Sequence, residues 1–239
     1  MPSNPVPPLL DTAALERSAV VANNAMNRDR GLSGVNSYAR DLGFDPYERL
    51  AERLRADPDA AVTWIDICCG SGRALLAAEQ RFAAEFPTAD ITLVGLDLVD
   101  HFRAAPATPR LRLITANATD WQPSGAADLI TCVHGLHYIG DKLALLAAMT
   151  RSLTPTGTLA AQFDPALIRH PDGTPATRKV LAELRKSDFT YDARHHRLTA
   201  GASRPARFSA TYLGADDTTG PGYTGQPAVA SYYRWEGSH

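Results

Sequence analysis

Cysteine is scarce in this chain. Three residues in 239, two of them adjacent (Cys68, Cys69) and one distant (Cys132), cannot build a disulfide framework. They read instead as small buried hydrophobes of a reducing compartment, so a cytoplasmic protein is expected. No apolar run approaches the roughly 20 residues that a membrane span requires. The opening "MPSNPVPPLLDTAALE" has no charged segment leading into an apolar one, as a secretory signal would. Charge of one sign is missing too: 24 basic against 26 acidic residues leave a formal net charge of −2. That balance offers no basic face to nucleic acid and no polybasic patch to a membrane surface. No internal repeat is visible. The 44% hydrophobic and 21% charged residues are ordinary for a soluble globular enzyme, and 239 residues suffice for a sizeable core.

The first third reads as helical. Residues 1–9 hold four prolines and form a loose arm. Asp11 is placed to cap a helix running through "TAALERSAVVANNAMNRD". A short helix over "NSYARDL" and a longer one over "DPYERLAERLRA" follow, the latter with Asp45 as cap and Pro46 at its first position. Near Val62 the rhythm changes. "AVTWIDIC", "DITLVGLDL", "RLRLITAN", "ADLITCV" and "TLAAQFD" are nearly continuous apolar runs, as parallel strands covered on both faces require. Helical segments between them, "GRALLAAEQRFAAEF" and "DKLALLAAMTRSL", supply crossovers, and "TPTG" predicts a turn before the fifth run. After a helix over "TPATRKVLAELRKS", the segments "FTYDARHHRLTA", "RPARFSATYL" and "AVASYYRW" predict antiparallel strands closing one side of the sheet. The loop "GADDTTGPGYTGQP" lies between the last two.

An open α/β sheet binds its ligand at the carboxyl ends of its strands. The first run ends in Cys69-Gly70-Ser71-Gly72 and feeds directly into a helix. Glycine there permits unusual φ values and close backbone approach, and the helix N-terminus favours an anion. A dinucleotide fingerprint fits poorly, because Leu75 stands where its third glycine belongs, and no Gly-Lys-Ser/Thr of a P-loop follows. The stretch Asp66-Ile67-Cys68-Cys69-Gly70-Ser71-Gly72 resembles instead the Asp/Glu-x-Gly-x-Gly-x-Gly motif of class I S-adenosylmethionine-dependent methyltransferases. It departs once, with Cys68 for the first glycine, a small residue that spares the turn if its φ stays negative.

That resemblance runs over residues 60–165 and implies much of the rest. The fold is expected to be a Rossmann-like, doubly wound α/β sheet, mostly parallel with an antiparallel C-terminal strand region. Residues 1–58 would form a helical N-terminal cap on a catalytic unit over 59–239. The cofactor is S-adenosyl-L-methionine. Asp97, ending the second strand, would grip both ribose hydroxyls with a carboxylate that only accepts. Leu98 would pack on the adenine, Asn117 and Ala118 would face its amino group, and Val133 at the end of the fourth strand would lie beside the methyl. Asp66, Cys68, Gly70 and Gly72 supply the turn. The polar stretch "NRDRGLSGVNSYARDLG" is either a solvated face or lies over the cofactor and the acceptor mouth, with Tyr38 or Arg28 meeting the methionine carboxylate or an acidic substrate.

The acceptor side rests on "CVHGLHYIGD", which follows the fourth strand. His134, His137 and Tyr138 are the candidates for acceptor contact or general-base work. The alternative for each histidine is a hydrogen-bonded structural residue. The Asn/Asp-Pro-Pro-Tyr/Phe motif of enzymes that methylate nucleobases or amides is absent. No metal site is expected, since nothing completes a ligand set around His134 and His137. His195 and His196 fall in an alternating strand and read as structural. Tyr223, Tyr232, Tyr233 and Trp235 either wall an acceptor pocket or pack the last strand; this C-terminal end resembles that of small actinobacterial-type methyltransferases. The expected function is methyl transfer to a small-molecule acceptor, at oxygen or nitrogen, in secondary metabolism, by a monomer or homodimer. The alternative is a protein that keeps the cofactor fold for a non-methylating reaction or a sensing role.

Overall fold

The computed structural model describes residues 8–22, 29–104, 108–202 and 204–236. Asn27 and Arg28, with most of the proline-rich arm, lie outside the described residues. The predicted first helix is two short ones, α1 (Thr12–Glu16) and α2 (Ala19–Ala22). Asp11 caps α1 by accepting from the Ala14 N–H at 2.8 Å. Ser18 interrupts the run because its hydroxyl accepts from the Val21 N–H at 3.4 Å and so starts a new helix. α3 (Tyr38–Leu42) is capped by Ser37 and stopped by the left-handed Gly43, and α4 (Pro46–Ala56) carries the predicted Asp45 cap.

The main sheet has seven strands in the order β3-β2-β1-β4-β5-β8-β7. β1 (Val62–Ile67), β2 (Ile91–Asp97), β3 (Leu111–Thr115), β4 (Ala127–Cys132) and β5 (Leu153–Gln162) run parallel. β8 (Arg197–Gly201) pairs antiparallel with β5, and β7 (Phe189–Asp192) antiparallel with β8. The strand alternation decides the two cores. Trp64, Leu93, Leu129 and Ala160 face α3, α4 and α5 (Arg73–Glu85), where Tyr47, Leu50, Leu75 and Phe82 are buried. Ile65, Val94, Ile130 and Ala161 face α6 (Lys142–Arg151) and α7 (Thr177–Lys186). Each such fully buried aliphatic side chain contributes about 1.5–3 kcal/mol.

Four expectations need correction. Among the described residues no helix joins β2 to β3 or β3 to β4, so only some crossovers are helical. The "TPTG" turn lies inside β5: Ala127 pairs with Leu153 but Leu129 with Thr158, so the partner strand loops out locally. A Cβ on Gly157 would meet the Ala127 carbonyl at 2.6 Å, which explains a glycine at that excursion. His195 and His196 stand in the turn between β7 and β8, not in a strand. Asp192 pins that turn by accepting from the N–H groups of Arg194 and His195, at 2.9 and 3.3 Å. Finally, β9 (Ala210–Asp216) and β10 (Ala230–Trp235) join β6 (Ile168–Arg169) in a separate three-stranded sheet. The β7–β8 hairpin already occupies the open edge beside β5, so β9 and β10 pair with each other.

Candidate cofactor and acceptor site

A cleft of about 860 Å³, counting space open to solvent, lies over the carboxyl ends of β1, β2 and β4. The turn after β1 forms its floor. Cys68, Gly70 and Gly72 all take left-handed backbone, at φ +58, +60 and +73, and Gly72 opens α5. Cys68 therefore does not keep the negative φ that a cysteine prefers, and the strain costs roughly 1–2 kcal/mol. Gly135 makes room for it: a Cβ there would sit 2.4 Å from the Cys68 Cβ. The glycine missing from the turn has in effect moved to the neighbouring strand end.

Asp97 closes the turn from the side. Its carboxylate accepts from the Gly70 N–H at 2.8 Å and from the Val99 N–H at 3.2 Å. Leu98 and Ala118 line the cleft beside it, and so does Asn117. The Asn117 amide oxygen is already engaged by the Thr119 N–H and hydroxyl, both at 2.9 Å. Its amide nitrogen donates to Glu16 of α1 and, at 3.0 Å, to Asp120. The hydrogen-bonding groups of the Asn117 amide are thus engaged within the protein. Burial, with Asp120 nearby, holds the Glu16 carboxyl above its usual range. Thr12, Leu15, Glu16 and Val21 of the N-terminal helices also line the cleft.

Cys68, Gly70, Asp97, Leu98, Asn117, Ala118 and Val133 are thus brought together in one cleft, whereas Tyr38, Asp66 and Gly72 are not among its lining residues. Asp66 is fully buried behind the turn. Tyr38 donates to one of its oxygens and Thr131 to the other, each at 2.6 Å. Burial pushes the Asp66 carboxyl up to about 7, against those two hydrogen bonds. Gly72 backs onto Leu113, whose side chain a Cβ would meet at 2.9 Å.

Sequence reasoning missed Asp29. It accepts from Ser71 at 3.0 Å and from Arg103 at 2.8 Å, tying the N-terminal segment to the turn.

His134 and Tyr138 line the cleft; His137 does not and is buried. His134 follows β4 in left-handed backbone at φ +61 and opens a 3₁₀ turn over Gly135–Tyr138. Burial lowers the affinity of both imidazoles for protons, His137 to about 3. Both are neutral at pH 7. Among the described residues the two ring nitrogens of His137 have no hydrogen-bond partner. Tyr223 stands over the pair, its ring 5.0 Å from His137 and stacked on His196 at 3.7 Å. Tyr232, Tyr233 and Trp235 are buried on β10, and the Tyr233 hydroxyl donates to Asp141 at 2.9 Å. Below lies Lys142, fully buried, whose ammonium donates to the carbonyls of Ile139 and Val229 and to the Ser231 hydroxyl at 2.7–2.8 Å. Burial depresses its pKa to about 7. Among the described residues no group of three His, Cys, Asp or Glu is arranged to hold a metal ion, and no helix is long and apolar enough to cross a membrane.

A parallel sheet with this strand order, a glycine turn after β1 and a carboxylate ending β2 define the class I S-adenosylmethionine-dependent methyltransferase fold. The family described as "Methyltransferase domain" matches residues 36–190, well over half of the 239 residues, and the chain belongs to it. Trans-aconitate 2-methyltransferase of Methylobacterium radiotolerans is 35% identical over 103 residues, covering 41% of this chain and 36% of that protein. The enzyme of the same name from Acidovorax sp. is 31% identical over 101 residues, covering 41% of this chain and 37% of its own. The match thus spans little more than a third of the length of these curated relatives. Among solved structures, an amino pentose methyltransferase from Micromonospora echinaspora, SAM bound and involved in calicheamicin biosynthesis, is 29% identical. It covers 52% of each chain with a TM-score of 0.34. An S-adenosylmethionine-dependent methyltransferase from Mesorhizobium loti is 23% identical, covering 51% of this chain and 55% of that one, with a TM-score of 0.36.

Proposed function

We propose that this chain transfers the methyl group of S-adenosylmethionine to a small-molecule acceptor, at oxygen or nitrogen, in a tailoring step of secondary metabolism. The observation that carries the reading is the cleft itself, floored by Gly70 and Cys68 and walled by the Asp97 carboxylate. The lining fits the cofactor in its chemistry, with carboxylate acceptors beside apolar side chains. Asp97 presents acceptors to a diol, and Leu98 and Ala118 an apolar slot to an adenine. Val133 and His134 border the place for the reacting carbon. Tyr38 and Asp66 support the turn from behind.

The cofactor supplies an activated methyl group on a sulfonium; the chain must align an acceptor with it and exclude water. Tyr138, His134 and the buried His137 would line or back the acceptor. The reading is tested by incubating the protein with S-adenosylmethionine and a fractionated metabolite extract. Formation of S-adenosylhomocysteine in step with a product heavier by one methylene supports it. Turnover of an acceptor without S-adenosylhomocysteine would point to a non-methylating reaction on the same fold.

A further inference from the structure

We propose that Cys68 and Cys132 are a redox-modification site, two free thiols that a peroxide closes into a reversible disulfide across the ends of β1 and β4. In the paired strands Asp66 stands beside Thr131, so Ile67 comes beside Cys132 and Cys68 one step beyond. With strands about 4.8 Å apart and a rise of about 3.3 Å per residue, that offset sets the two Cα atoms about 6 Å apart, the separation a disulfide prefers. Direction decides the rest. Alternation along β1 sends Ile65 and Ile67 to the same core as Cys132, and an extended residue 68 would face the opposite one. The left-handed φ of +58 turns it back, and Cys68 packs on the Cys132 side of the sheet. Both sulfurs stand 2.8 Å from the one point where a Cβ on Gly135 would lie, hence no more than twice that distance from each other. A side chain on Gly135 would fill the space between them. Glycine at position 68 would hold the same turn without strain; cysteine adds a thiol that faces a second thiol.

The two thiols differ in access. Cys68 is half-buried and lines the cleft, whereas Cys132 is fully buried. Cys69, next in sequence, packs in the other core and takes no part. The Cys132 thiol first, then burial, then Asp97 and Cys69 hold the Cys68 thiol well above its usual range. A protonated thiol is a poor nucleophile, so the pair stays reduced at neutral pH until peroxide persists. The step runs through the small thiolate fraction of Cys68. Its sulfur attacks the peroxide, the O–O bond breaks, and a sulfenic acid forms as the departing hydroxide takes up the thiol proton to become water. The Cys132 sulfur then attacks that of Cys68, the S–S bond forms, and the sulfenic oxygen leaves as water with the Cys132 proton. Two thiols lose two electrons, and one hydrogen peroxide becomes two waters. Drawing Cys68 onto Cys132 shifts the floor of the cleft beside Gly70. That consequence for the cofactor rests on the methyltransferase reading, whereas the disulfide does not.

The experiment reads the cross-link directly. Reduced wild type, freed of reductant, is treated with hydrogen peroxide at pH 8 and digested without reduction for mass spectrometry. A peptide joining Cys68 to Cys132 is expected, reversed by dithiothreitol, still formed in Cys69→Ala and absent from Cys132→Ala. Thiols left intact, sulfinic or sulfonic acid on Cys68 in place of the link, or a link through Cys69 would overturn the proposal. Calorimetry with S-adenosylhomocysteine then reads the consequence. The cross-linked protein should bind it at least tenfold more weakly than reduced wild type, and dithiothreitol should restore the affinity. Unchanged affinity in the cross-linked protein overturns the effect on the cleft. If reduced wild type fails to bind, the methyltransferase reading falls, and the peptide link still decides the thiol pair.

Discussion

Gly70 donates its backbone N–H to the Asp97 carboxylate at 2.8 Å, joining the turn after β1 to the last residue of β2. One short bond thereby sets the distance between the floor and the wall of the cleft. It also requires Gly70 at φ +60, where a β-branched residue is strained. Gly70→Val should lower stability by roughly 1–2 kcal/mol, a fall in Tm of about 2–8 °C for a chain of this size. S-adenosylhomocysteine affinity should drop at least tenfold, because Gly70 lines the cleft. Thermal melts and calorimetry on the same preparation check both.

Cys68 and Gly135 exchange roles that one glycine would otherwise fill. With 2.4 Å between the Cys68 Cβ and a Cβ placed on Gly135, Gly135→Ala should destabilise the fold by roughly 1–3 kcal/mol. Cys68→Gly removes the strained residue and the Cys68 part of the clash, leaving the Cys132 Sγ at 2.8 Å. The double variant should therefore recover much of the loss, and a double-mutant cycle from urea unfolding should show coupling. Strict additivity would contradict the packing described.

Lys142 makes folding pH-dependent. In the unfolded chain it keeps its proton to about pH 10.5, whereas in the fold burial releases it near pH 7. Between those values the unfolded state binds more protons, so stability rises with pH, by at most about 1.4 kcal/mol per unit. Below pH 7 both states are protonated and the burial penalty stands in full. Urea unfolding at pH 6, 7, 8 and 9 should show this rise in wild type and lose it in Lys142→Met.

The five parallel strands and the glycine turn were legible because parallel strands covered on both faces leave unbroken apolar runs, and "DICCGSG" breaks one at its carboxyl end. Asp97 and Leu98 followed from their place at the end of the next run. Other features were hidden for physical reasons. Asp66 and Tyr38 read as members of the cofactor turn and of its cover, yet they satisfy each other across 28 residues in the core. The Asp41 carbonyl accepts from Gln162, 121 residues away, and no local pattern links them. β9 and β10 have the composition of sheet-edge strands. Only the prior occupation of the β5 edge by β7–β8 sends them elsewhere. The Asp192 turn breaks an alternation that sequence alone extends through His196.

That the cleft walled by Asp97 holds S-adenosylmethionine is tested most directly by isothermal calorimetry on wild type and Asp97→Ala. Wild type should bind one cofactor per chain. Asp97→Ala, still folded by circular dichroism, should lose about 1.5–3 kcal/mol, the scale of hydrogen bonds to a charged group, or roughly 10- to 150-fold in Kd. Equal affinity for the two proteins, or no binding by wild type, would contradict it.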